Sequence, residues 1–148
     1  MQNAEKLFGF LWIASLVGDW FGLPGSTFLL GVGTSFLAAF YFYAAIPMFL
    51  KLPLRAVFQF SIYSKIGGRD LIRMIFSGLA LSSLIIGISL LQLGLDDSGI
   101  ITPLCLGETA VVLIILSFPK AYQKAIYYKP ALYRLLPLAL GLIAYNLV

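Results

Sequence analysis

The sequence predicts an all-α integral membrane protein with four transmembrane helices arranged as two hairpins and a short, partly inserted helix at its C-terminal end. Three observations predict it. Of the 148 residues, 61% are hydrophobic and only 11% charged, with a mean hydropathy of +0.99, whereas a soluble domain carries about 45–50% apolar and about 25% charged residues. Disorder needs the opposite balance. Four apolar runs approach the roughly 20 residues that a bilayer crossing requires. The ten Lys and Arg residues fall at or beyond the ends of these runs, all on the same side.

The first span runs from Leu7 to about Phe21 and the second from about Thr27 to Leu50, joined by Gly22-Leu23-Pro24-Gly25-Ser26. A cleaved signal peptide is the competing reading of the first run. Lys6 gives it a weak positive start, but Gly-Leu-Pro-Gly reads as a turn, which favours a retained span. Hairpin 1 thus covers 7–50, and a cytoplasmic or interfacial loop follows over 51–70, broken by Gly67-Gly68. The third span runs from about Leu71 to Leu95 and the fourth from Gly99 to Phe118, separated by Asp96-Asp97-Ser98, so hairpin 2 covers 71–118. Connections this short make antiparallel neighbours.

Residues 119–148 form a basic interfacial segment and an apolar tail. The tail, Leu135 to Val148, has 14 residues, too few for a comfortable crossing. Extending it to Ala131 takes in Arg134, which can snorkel to the interface. The expectation is a tail lying partly in the bundle, with a short fifth helix as the alternative.

Charge sets the orientation. Lys6 precedes hairpin 1, Lys51, Arg55, Lys65, Arg69 and Arg73 follow it, and Lys120, Lys124, Lys129 and Arg134 follow hairpin 2. The turns carry acids instead. The positive-inside rule then places the N-terminus, the middle loop and the segment after Phe118 in the cytoplasm, as expected for a multi-pass protein of a bacterial inner membrane. A shift of 74 positions lays Gly33 on Gly107 and the run from Phe36 to Phe42 on that from Ala110 to Leu116. This is the pattern of a parallel repeat, although apolar composition alone also produces such an alignment.

The residues that could carry chemistry are few. The sequence has no histidine and one cysteine, Cys105, which excludes His-based metal, haem and general-base sites and an internal disulfide. No nucleophile elbow, phosphate loop or metalloprotease helix is present. The expectation is a non-enzymatic protein with no cofactor, no metal and no nucleic-acid partner. Glu108 is the one acid deep inside an expected span. It reads either as an intramembrane proton or ion site or as a neutral carboxyl bonded to a neighbouring helix. Asp19, Asp96 and Asp97 form an external acidic mouth, with hydrated turn residues as the plainer alternative. Lys51, Arg55, Lys65, Lys120, Lys124 and Lys129 are candidates for lipid headgroup contact, interleaved with Phe58, Phe60, Ile62, Tyr122, Ile126 and Tyr127, or else ordinary orienting charges. Gly78 with Ser82, and Ser83 with Gly87, are small-xxx-small pairs that let helix backbones approach.

Leu16-Val-Gly-Asp-Trp-Phe-Gly-Leu-Pro-Gly25, followed by Leu29-Leu-Gly-Val-Gly-Thr-Ser-Phe36, resembles the transmembrane hairpin of GldL-type motor subunits of Bacteroidota gliding and type 9 secretion. The resemblance covers about 30 residues and rests on the Leu-Pro-Gly turn and the Gly-Thr motif. It implies a membrane-embedded glutamate beside Gly-Thr, where this chain has Ser35. Glu108, in Leu106-Gly-Glu-Thr-Ala110, holds a nearby place in the second hairpin. The family's large cytoplasmic region has no counterpart in these residues, which argues against a rotary role.

The expected function is that of a small non-enzymatic subunit or accessory and assembly factor of a membrane protein complex. Its expected partners are membrane lipids and either a membrane-protein partner or further copies of itself. The alternative is an ion- or small-molecule-conducting transport protein with Glu108 as its midplane site.

Overall fold

The computed structural model describes residues 2–95, 99–117 and 127–146, and every regular element among them is helical. The elements are α1 (Gln2–Trp20), α2 (Ser26–Phe49), a 3-10 turn at Leu54–Phe58, α3 (Phe60–Tyr63), α4 (Gly68–Gln92), α5 (Ile101–Ser117) and α6 (Tyr128–Asn146). At 1.5 Å per residue the five long helices measure about 25 to 38 Å.

Three of these helices end in the same backbone device. After α1, Leu23 N–H reaches Gly18 O and Gly22 N–H reaches Asp19 O, both at 2.9 Å. After α4, Leu95 N–H reaches Leu90 O and Gly94 N–H reaches Leu91 O, again at 2.9 Å. These are Schellman motifs, which need a left-handed residue just past the helix. Gly22 (φ 64°) and Gly94 (φ 66°) supply it without a Cβ clash. After α2, Leu52 N–H bonds Pro47 O at 2.8 Å and Lys51 N–H bonds Met48 O at 3.1 Å, but the left-handed residue there is Lys51, at φ 57°.

Hydrogen bonds fix which helix ends lie together. At the turn end, Gln92 Nε2 of α4 donates to Asp19 Oδ2 of α1 at 3.1 Å, and Asn146 Nδ2 of α6 donates to Thr102 Oγ1 of α5 at 3.1 Å. At the basic end, Arg134 of α6 meets Glu5 of α1, and Tyr127 Oη donates to Asp70 Oδ1 at 2.9 Å. Helices α1, α4 and α6 therefore run one way, and α2 and α5 the other.

Helix α4 is the axis of the bundle. It packs on α1, α2, α5 and α6, and its interface with α2 is the largest. Leu81, Leu84 and Ile85 on it are fully buried, together with Leu30 and Phe49 of α2 and Leu135 and Leu142 of α6. Gly78 and Gly87 stand nine residues apart, two and a half turns, and so face opposite sides of α4. A Cβ at Gly78 would strike Ala45 Cβ and lie 2.6 Å from Tyr41 O of α2. A Cβ at Gly87 would lie 2.9 Å from Cys105 Sγ of α5.

One face of α1 carries a polar residue every seventh position. Tyr41 Oη donates to Glu5 Oε1 at 2.9 Å, Trp12 Nε1 and Thr34 Oγ1 both donate to Ser89 Oγ, at 2.9 and 2.7 Å, and Thr27 Oγ1 donates to Asp19 Oδ1 at 2.6 Å. Along α2 the partners recede by seven, from Tyr41 to Thr34 to Thr27. Seven residues advance a helix about 10.5 Å, so α1 and α2 are joined at three evenly spaced levels. Arg134, Ser89 and Gln92 add a third helix at each level.

Several expectations are corrected. Among the described residues, two helices, α2 and α4, are long and apolar enough to cross a membrane, so four spans do not follow. α1 begins at Gln2 and takes in Glu5, Lys6 and Asp19, which lowers its apolarity, and α5 has 17 residues. The last helix has 19 residues rather than a 14-residue apolar tail and reaches from the basic end to the turn end. It begins at Tyr128 and takes in Arg134, which is paired with Glu5 instead of snorkelling. The expected loop 51–70 contains the 3-10 turn, α3 and the start of α4. Gly22 and Gly94, the equivalent ends of α1 and α4, lie 72 positions apart, and the long helix comes second in one hairpin and first in the other. Asp96, Asp97, Lys120, Lys124, Tyr122 and Ile126 lie outside the described residues.

Candidate functional site

At the turn end a cleft of about 640 Å³ opens between α1 and α6, lined by Asp19, Trp20, Gln92, Gly141, Ala144 and Tyr145. The Gly22 motif ends α1 one turn after Asp19, which aims its carboxylate at both the start of α2 and the end of α4. Oδ1 accepts from Thr27 at 2.6 Å and from Ser26 Oγ at 3.4 Å, and Oδ2 accepts from Gln92 at 3.1 Å. All three donors are neutral. Among the described residues Asp19 is the one charged side chain at this end, and it belongs to neither ion pair, Arg73 with Asp70 or Arg134 with Glu5. The α6 wall is made of small residues, and the position a Cβ would take at Gly141 has nothing within 4 Å. No group of three potential metal ligands occurs among the described residues.

Glu108 lies midway along α5, away from this cleft. Ser83 Oγ of α4 donates to its Oε2 at 2.7 Å. One turn earlier on α5, the buried Cys105 thiol donates to Ser83 O at 3.3 Å. Glu108 and Ser83 thus join α4 to α5 near Gly87. Ser82 is buried in the bundle. Ser35, where the hairpin resemblance would have a glutamate, is exposed and donates to Gly31 O of its own helix at 2.8 Å. Lys51, Arg55, Lys65 and Lys129 are all exposed, and Phe58 beside them is 82% exposed.

The basic end holds two clusters that sequence reading missed. Arg134 bonds both carboxylate oxygens of Glu5, with Nη2 to Oε2 at 2.7 Å, while its Nη1 bonds Pro130 O at 2.9 Å. Burial opposes ionisation of Glu5. The Arg134 fork and the Tyr41 hydroxyl outweigh it and hold the carboxyl below its usual range. The Glu5 bonds in turn raise Arg134 above the ordinary guanidinium value. In the second cluster, burial first and the Asp70 bond second push the Tyr127 hydroxyl up to about 12. The available signal was an acid at position 5 and a base at position 134. Nothing in their spacing pairs them.

No family model matches the chain, and neither a curated protein nor a solved structure matches it.

Proposed function

We propose that the chain is a small, non-enzymatic membrane protein acting as a subunit or accessory factor of a membrane protein complex, with α2 and α4 crossing the bilayer and the other helices packed around them. The observation that carries this reading is the apolar perimeter. Leu7, Phe10, Ile13, Val17 and Trp20 form an outward stripe on α1, each at least 50% exposed. Phe28 and Phe36 on α2, Ile86 on α4, Leu104, Val111 and Ile114 on α5, and Leu140 and Ile143 on α6 also face outward. Soluble monomers rarely leave so much contiguous apolar surface uncovered, whereas a lipid-facing surface is as apolar as a core. Glu5, Asp19, Asp70 and Glu108 accept hydrogen bonds from neighbouring side chains, which suits structural ties better than a reaction centre.

The basic end, with Lys51, Arg55, Lys65 and Lys129 exposed, is assigned to the cytoplasmic face of a bacterial inner membrane, in contact with anionic headgroups. The first hairpin's likeness to GldL-type subunits adds support for a membrane-complex setting. Purification in mild detergent followed by light scattering and cross-linking tests the proposal. A defined oligomer or a co-purifying membrane protein is expected. A monodisperse monomer with no partner overturns it.

A second reading, conduction through an oligomer with Glu108 at its midplane, is favoured by one observation: Glu108 remains half-exposed on α5 beside its Ser83 bond. Flux through liposomes carrying Glu108→Gln decides it, since equal flux removes Glu108 from the mechanism.

A further inference from the structure

The cleft between α1 and α6 combines three features that select the same ligand chemistry. Among the described residues no base pairs with its carboxylate. Along α1 the nearest base is Lys6, 13 residues and about 20 Å below Asp19, and along α6 it is Arg134, 11 residues and about 16 Å below Tyr145. Beside Asp19 stand Trp20, 70% exposed, and Tyr145, whose ring faces attract organic cations. Gly141 and Ala144 leave the opposite wall without bulk, and about 640 Å³ falls within the range of small-molecule sites, roughly 300–1,000 Å³. A hydrated metal ion is poorly served by one carboxylate already bonded to three neutral donors. Among the described residues that line it, an anion finds no cation.

We propose that this cleft binds an amphipathic ammonium, with the charged head beside Asp19, Trp20 and Tyr145 and the apolar chain along Gly141 and Ala144. The same head chemistry is available from an ethanolamine phospholipid or from a free alkylamine. The proposal does not depend on the chain being a complex subunit.

Calorimetric titration in neutral maltoside micelles tests it, with octyltrimethylammonium as the probe and octyl glucoside as the uncharged control of equal chain length. Saturable binding of the cation alone is expected. Gly141→Leu places an apolar side chain on the cleft wall without touching a charge, and its Cβ meets nothing within 4 Å. This variant and Asp19→Asn are each expected to weaken binding about tenfold or more, with unchanged far-ultraviolet circular dichroism as the folding control. Trp20→Leu, at an exposed position, supplies an independent variant should either of the others misfold. Native mass spectrometry separates the sources. An ethanolamine lipid retained over phosphatidylglycerol, and lost in Gly141→Leu, identifies the lipid, while micellar binding of the probe with no retained lipid identifies a free amine. Equal binding of probe and control, or wild-type affinity in folded Gly141→Leu and Asp19→Asn, overturns the proposal.

Discussion

Arg134 of α6 forks onto both carboxylate oxygens of Glu5 of α1, closing the bundle across 129 residues of chain. The two side chains are only 24% and 15% exposed, so removing one strands the other in a poorly solvated place. Arg134→Met is expected to lower stability by about 2–4 kcal/mol. The double variant Glu5→Gln with Arg134→Met should recover at least half of that loss. Unfolding in mixed micelles measures both, and a loss under about 0.5 kcal/mol for the single variant would show the pair to be a surface contact.

The same pair sets a pH dependence. Because Glu5 titrates below its ordinary 4.5 in the folded chain, folding favours the ionised form. Its contribution is complete above that ordinary value and disappears as pH falls through the lower folded value. The stability difference between wild type and Glu5→Gln should be constant from about pH 8 to about pH 5 and shrink below about pH 4.5. Melting temperatures across that range check it.

Ser89 accepts from Trp12 and Thr34 while donating to Ile85 O at 2.9 Å. Ser89→Ala leaves a buried indole N–H and a hydroxyl without their acceptor and is expected to lower stability by about 1–3 kcal/mol. Altered near-ultraviolet circular dichroism from Trp12 should accompany the loss, and an unchanged spectrum with unchanged stability would remove Ser89 from its role at the junction.

Two glycines should respond in opposite directions. Gly78→Ala drives a methyl into Ala45 and Tyr41 and is expected to lower stability by about 1–3 kcal/mol. Gly107→Ala meets nothing within 4 Å and should raise stability by about 0.5–1 kcal/mol, through helix propensity. Paired thermal melts distinguish the two.

Lys51 holds a left-handed conformation that Gly22 and Gly94 hold at the other two equivalent helix ends. Relieving the Cβ clash with Lys51→Gly is expected to add about 0.5–1 kcal/mol of stability. A neutral or destabilising result would mean that the lysine side chain makes a compensating contact.

The helical class was legible in the sequence, and so was the first turn, where Gly22 is the residue that a Schellman end requires. The second turn was expected at Asp96-Asp97-Ser98, outside the described residues, whereas α4 already ends at Gln92 with Gly94 just past it. Helix partners were not legible. Ser89 looks like any small residue in an apolar helix, and Trp12 and Thr34, which give it meaning, lie 77 and 55 positions away. Arg134 read as a snorkelling end residue because one sequence does not say that Glu5 is opposite. Asp19 was grouped with Asp96 and Asp97 by sign of charge, yet its partner in the second hairpin is Gln92, a neutral residue that no charge count selects. The left-handed helix end at Lys51 has no glycine to mark it in the sequence.

The seven-residue ladder on α1 also fixes how far that helix can slide. A slip of two turns toward the turn end would bring Glu5 to the level now held by Trp12, between Thr34 and Ser89 in the buried interior. A slip the other way would bring Asp19 there. Either displacement sinks a carboxylate into a site with no cation, at a cost of several kcal/mol. The acids at the two ends of α1 therefore act as stops, and the helix seats at the register in which Glu5 meets Arg134 and Asp19 meets Thr27 and Gln92.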